Sequence, residues 1–233
     1  MSGQQVHQTA RILIIALWIA ATRTSSALNT GAPADDLQQY QQRGATVTAI
    51  TPIFNQLVEF TVPPHFKGVF QKLIRDFYIQ ESVLDGETVD QWSQMITLTG
   101  KQGTAADPQA SPRALLVNIA GGLQRACPSS FAILELGPKK IDGYDGFAGI
   151  ASCGSVGTGD AAHSETAMIL AVKGSADFYT IQWAQRGTAS DHPLAPDSAT
   201  WVNRFKQLDP IRLCALIAGE AAPYPSCVGR SGR

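Results

Sequence analysis

Nowhere does this chain of 233 residues hold the about 20 consecutive apolar residues that a helix needs to cross a hydrocarbon core. Its longest apolar run, Ile12-Leu13-Ile14-Ile15-Ala16-Leu17-Trp18-Ile19-Ala20-Ala21, is about half that length, which argues against a membrane anchor. An excess of basic charge is also missing: 18 Lys and Arg face 19 Asp and Glu, a net of −1, so nothing draws the chain electrostatically to nucleic acid. Histidine and cysteine are scarce, at four each. No CxxC pair occurs and no histidine lies at ligand spacing from a cysteine, which leaves the zinc reading with little support. No GxSxG elbow accompanies a histidine either, so serine-hydrolase chemistry lacks its nucleophile motif. Low-complexity tracts are absent too, because the 21 Gly and 13 Pro are spread between apolar segments, as in a chain that packs a core.

What is present begins with the first residues. Arg11 is the only charged side chain ahead of the apolar run, and Ser25-Ser26-Ala27 follows it with small residues spaced for cleavage after Ala27. Residues 1–27 therefore read as a secretory signal peptide, with no nearby cysteine to accept a lipid, and the protein is expected in a periplasmic or extracellular space with no membrane span after cleavage. The remaining 206 residues suit one domain, and with Arg11 and Arg23 removed 16 basic side chains face 19 acidic ones, a net of −3. In an oxidising compartment the even number of cysteines favours two disulfides. Three pairings of Cys127, Cys153, Cys214 and Cys227 are open; Cys127–Cys153 with Cys214–Cys227 is preferred because each closes a short loop, the second stapling the tail that contains Pro223-Tyr224-Pro225.

Residues 28–54 read as a polar, partly disordered lead-in, 55–215 as a single domain, and 216–233 as a Pro/Gly-rich tail. Within the domain, Val58-Glu59-Phe60-Thr61-Val62 alternates and is stopped by Pro63-Pro64, which predicts a strand. Phe77–Leu84 and Trp92–Thr99, rich in aromatic, β-branched and Thr residues on either side of Asp85-Gly86, predict an antiparallel pair; residues 87–91 have room for one helical turn. Ser111 caps and Pro112 opens a helix carrying Leu115, Leu116, Ile119 and Leu123 at helical spacing, and close packing against a sheet accounts for its Gly121-Gly122 pair. Four strands follow, at 131–136, 146–153, 166–172 and 178–184, with turns at Gly137–Lys140 and Lys173–Asp177. Asp197 or Ser198 caps a last helix bearing Trp201, Val202, Phe205 and Leu208. The order is that of an α+β fold, an antiparallel sheet covered by helices.

The segments Tyr78-Ile79-Gln80-Glu81, Gly86-Glu87-Thr88, Trp92–Thr97, Tyr179–Trp183 and Trp201…Phe205…Leu208…Pro210-Ile211 resemble small secreted bacterial proteins of unassigned role. In element order, residues 55–215 are similar to the PsbP/DcrB-like superfamily of α/β/α sandwiches. The resemblance implies a non-enzymatic, exported accessory or binding protein that assists another envelope protein or complex. Its motifs are strand and turn patterns, so no binding residue carries over, and no catalytic, cofactor or metal residue is assigned. Three places remain where chemistry has a foothold. His163 and Glu165 share one strand face, as a ligand and its partner do, against the plainer reading of two solvated groups at a strand entrance; the mature chain's other histidines are His65 and His192. Glu81, Asp85 and Glu87 surround the first reversal, where paired carboxylates serve acid–base work but solvated ones are commoner. Gly154–Asp160 is dense in glycine but lacks the Lys-Ser/Thr of a phosphate loop, and reads as a mobile connection. Trp92, Trp183 and Trp201 are expected as core anchors or as part of a recognition patch.

Overall fold

The computed structural model describes residues 43–228; the leader 1–27 and residues 28–42 lie outside the described residues. Ten strands, β1 (Val47–Ile53), β2 (Gln56–Val62), β3 (Phe66–Ile74), β4 (Phe77–Leu84), β5 (Gln94–Lys101), β6 (Phe131–Ile141), β7 (Tyr144–Val156), β8 (His163–Lys173), β9 (Phe178–Thr188) and β10 (Arg212–Ala215), form two sheets. The helices are α1 (Pro112–Ala126), α2 (Ser198–Phe205) and the single turn α3 (Pro225–Val228). The larger sheet has the order β3-β4-β5-β9-β8-β7-β6, the smaller β1-β2-β10, and every pairing is antiparallel. After β5 the chain crosses by way of α1 to the far edge, then meanders back through β6, β7 and β8 until β9 closes against β5.

Side-chain alternation sorts this sheet into two buried faces. On β8, Met168, Leu170 and Val172 join one cluster with Val58, Phe60, Val62 and Leu213 of the small sheet and Trp201, Phe205 and Leu208 around α2. Ala167, Ile169 and Ala171 point the other way, to Leu116 and Ala120 of α1. Burial on both faces is why this strand reads as an unbroken apolar run. One face of the large sheet is thus covered by α1, and the other by the three-stranded sheet together with α2. Ser111 accepts from the Ala114 N–H at 3.1 Å and Asp197 from the Ala199 and Thr200 N–H groups, so both long helices start on the caps expected of them.

Several boundaries move. Strand β1 lies inside the expected lead-in, and β3, an edge strand with Phe70, Leu73 and Ile74 exposed, carries no clean alternation. Gly137–Lys140 is not a turn: Gly137, at φ 97°, absorbs a bulge after Glu135, and Pro138 is tolerated because β6 is an edge, so the strand runs on to Ile141 and reverses at Asp142-Gly143. Residues 87–91 hold no helical turn. The Gly121-Gly122 pair is not what brings α1 close to the sheet, since the nearest atoms to a side chain built there belong to Arg125. Close approach occurs at Gly149 of β7, where a Cβ would stand 3.2 Å from both Leu116 methyls. The expected mobile loop at 154–160 begins as ordered strand: Gly154 accepts from the Ser190 N–H at 2.8 Å and donates to the Ser130 carbonyl at 2.9 Å. The connection proper is the short stretch 157–162.

Candidate functional site

Helix α1 lies across β7 and β8 and, among the described residues, no helix covers the same face of β4, β5 and β9. Register decides which side chains this uncovered part presents. Glu81 of β4 stands opposite Thr97 of β5, Thr97 opposite Gln182 of β9, and Gln182 opposite Ile169 of β8. In the next row Met95, Ala184 and Ala167 align, and beyond them Arg186 faces Glu165. Ile119 and Leu123 of α1 form one wall, and Val89 and Trp92, from the β4–β5 connection, the other. These residues enclose an open cleft of about 370 Å³, within the size range of small-ligand sites.

The walls of the cleft are held by polar contacts behind the Trp92 loop and at the rim. Glu87 accepts from the Ser93 N–H at 3.0 Å and from the Ser93 hydroxyl at 2.5 Å, and the Thr88 hydroxyl accepts from the Gln91 N–H, so the loop bearing Trp92 is cross-braced. The Arg186 guanidinium stacks 3.8 Å from the Trp92 ring centroid, its Nε lies 3.4 Å from a Glu165 oxygen, and its backbone N–H donates to the Ser93 carbonyl. One arginine therefore joins the loop, β8 and β9. Burial holds the Glu81 carboxyl above its ordinary value.

Each residue singled out from the sequence can now be placed. Glu165 lines the cleft but is paired with Arg186. His163 does not line it: its Nδ1–H donates to the Ala161 carbonyl at 2.9 Å and its Nε2 stands 3.8 Å from Glu165. Of the three carboxylates near the first reversal only Glu81 lines the cleft; Glu87 is a loop brace, and Asp85 sits 3.4 Å from exposed His65. His192 lies in an exposed loop turned by Ser190. Trp183 and Trp201 are core residues, while Trp92 is the one at the cleft. Arg186 and Gln182 were not legible as site residues, since nothing in sequence spacing reveals which strand lies beside β5.

Cys127 is bonded to Cys153 and Cys214 to Cys227, leaving no free cysteine. The first bridge ties the end of α1 to β7, the second the tail to β10. Glu59 lies close to both Cys214 and Cys227, but two sulfurs spent on one another offer no thiolate to a metal.

No family model and no curated protein matches the chain. Among solved structures it is similar to cyanobacterial PsbP (CyanoP) from Synechocystis, at 9% identity and a TM-score of 0.46, over 82% of this chain and 98% of that one. The likeness is a weak match to a PsbP-like fold. The Ran-binding protein Mog1p of Saccharomyces cerevisiae matches at 12% identity and a TM-score of 0.38, over 69% of this chain and 84% of its own. LpqN of Mycobacterium tuberculosis, described as involved in cell envelope biogenesis, matches at 8% and 0.36, over 80% and 99%.

Proposed function

We propose that the protein is an exported accessory protein of the cell envelope, periplasmic or extracellular, that binds a partner through the cleft beside α1. The observation that carries the binding part is the make-up of that cleft: an apolar helix wall beside a floor on which Met95, Ala167, Ile169 and Ala184 lie next to Glu81, Thr97 and Gln182, with an aromatic–arginine pair at the rim whose charge is balanced by Glu165. Aromatic side chains and arginine are the residues that most often dominate binding energy at interfaces. Export is supported by the leader pattern of residues 1–27 and by two disulfides, and no helix among the described residues is long and apolar enough to span a membrane.

The test is capture from the native envelope in mild detergent, wild type against Thr97→Trp, which fills the cleft from its floor. A partner retained by wild type and lost by the variant, both folded by circular dichroism, is expected. Recovery of the same proteins by both would reject the cleft as the binding surface. A second reading, a proton-transferring enzyme, rests on Glu81 and Glu165 lining one cleft, with burial holding the Glu81 carboxyl above its ordinary value as a general acid requires. Under that reading Glu81→Gln abolishes turnover while partner capture is unchanged; under the binding reading capture responds to the cleft and no turnover depends on Glu81.

A further inference from the structure

A second cavity, of about 390 Å³, opens on the opposite face of the large sheet, between α2 and strands β6 to β8. Leu136, Ile141, Met168, Leu170, Val202 and Phe205 make its walls. Met168, Leu170 and Phe205 are buried, so this is a recess in the core wall rather than a surface dimple. Its polar border is short: Lys139 on β6, then Lys206 and Asp209 just after α2. Lys140, next door, is paired with Asp145 at 2.6 Å, whereas Lys139 has no ion pair among the described residues. Among the described residues Lys206 reaches only Asn203, at 3.4 Å. Two cations against one carboxylate leave a single positive charge at the mouth of an apolar slot.

We propose that this cavity binds a single-chain fatty acid, with the alkyl chain among the apolar walls and the carboxylate at Lys139 and Lys206. The walls carry no polar side chain that would reward a sugar or a nucleotide, and chain burial is favourable at about 0.8 kcal/mol per CH₂. The unbranched thioether of Met168 adapts to a flexible chain. Lysines with apolar stems and solvated heads suit a headgroup that stays at the water boundary. One net positive charge matches a monoanion, while a phosphate monoester brings −1.5 to −2 and overshoots it.

The experiment is calorimetric titration of the disulfide-intact protein with palmitate, kept below its micelle concentration, and with hexadecanol, which has the chain and no charge. Saturable one-to-one binding of palmitate is expected, with hexadecanol about tenfold weaker, since two partly exposed ion pairs together contribute about that much. The double variant Lys139→Glu with Lys206→Glu, whose changes are on exposed side chains, replaces attraction by repulsion and should weaken palmitate by more than tenfold while leaving hexadecanol unaffected. Val202→Trp should remove binding of both. Absence of saturable uptake, wild-type palmitate affinity in the lysine double variant, or tighter binding of a single-chain lysophosphatidate than of palmitate would each overturn the proposal. The outcome is independent of the cleft beside α1, which Thr97→Trp tests separately.

Discussion

Asp177 has no exposed surface, and its carboxylate gathers three parts of the chain. Its oxygens accept from the Asn55 side chain at 2.8 Å and backbone N–H at 3.4 Å, from the Gly103 N–H at 2.7 Å and from the Tyr179 hydroxyl at 3.2 Å. The β1–β2 turn of one sheet is thereby fastened to the β8–β9 turn of the other. Beside it the Gln56 carbonyl oxygen accepts from the Ser175 N–H and hydroxyl, and Gly174 has no room for a Cβ because that Gln56 side chain fills the space. Burial first, and the Asp177 charge second, hold the Tyr179 phenol far above its ordinary value, so it remains a donor. Asp177→Ala removes a buried charged acceptor shared by Asn55, Gly103 and Tyr179, of which Tyr179 keeps the Ile53 carbonyl; hydrogen bonds to charged groups contribute about 1.5–3 kcal/mol, so the variant is expected to lower stability by about 3 kcal/mol in urea unfolding. A loss below about 1 kcal/mol would show that water replaces the carboxylate and that the two sheets are held otherwise.

Glu81 makes a pH-dependent case at the same scale. Burial raises its folded-state value above the ordinary 4.5, so the folded state favours the neutral acid. That contribution is fully present below the unfolded value and is lost as pH rises through the raised folded one. Glu81→Gln removes the titration, so the variant should gain urea midpoint relative to wild type at pH 7 and lose this advantage near pH 4. A midpoint difference that is flat across this window would mean that the side chain finds water when folded.

Among the elements, α1 separates what sequence spacing reveals from what it hides. Its cap, its first-turn proline and its apolar stripe are local, and Leu116 and Ala120 bury as that stripe requires. Gly121 and Gly122 read as a packing feature, yet they face only Arg125, because the space that lets the helix approach was made on the opposite side, by Gly149 and the alanines of β7 and β8. Complementarity of this kind belongs to two elements and cannot be read in one. Gly122→Ala should therefore stabilise the protein by about 0.5–1 kcal/mol, since alanine fits the open space and restricts the unfolded chain. Destabilisation in thermal melting would place an unseen contact at that turn. The same distinction holds for the strands. The pair β4–β5 and the run β6 to β9 carry alternation and turn residues locally, whereas β3, β10 and most of β1 are legible only through their partners. For the cleft, Glu81, Glu165 and Trp92 stood out by residue type, but their meeting depends on β9 inserting beside β5, a long-range pairing that nothing near either strand announces.

At the level of the whole molecule, the two bridges tie the exit of α1 and the C-terminal tail to strands of the two sheets. Cys214–Cys227 closes 13 residues of tail onto the four-residue strand β10, and Arg212, buried there, donates to the Cys227 carbonyl at 2.8 Å while facing Asp142 at 3.6 Å. Cys127–Cys153 spans 26 residues and anchors the exit of α1. Closing loops of these lengths stabilises by roughly 2–4 kcal/mol each, and the longer loop contributes more by about 0.6 kcal/mol per doubling. Against a typical total of about 5–15 kcal/mol, losing both is a large fraction of what keeps a domain folded. Complete reduction, verified by four alkylated cysteines, is expected to shift the urea midpoint down sharply, and the double serine variant at Cys127 and Cys153 to lose more than the one at Cys214 and Cys227. Such dependence fits the export proposed above, and the exported form is then expected to begin at Leu28, which mass spectrometry reads directly. An unchanged midpoint after reduction would break the link between the sulfurs and the compartment, leaving the leader pattern of residues 1–27 as the sole support for export.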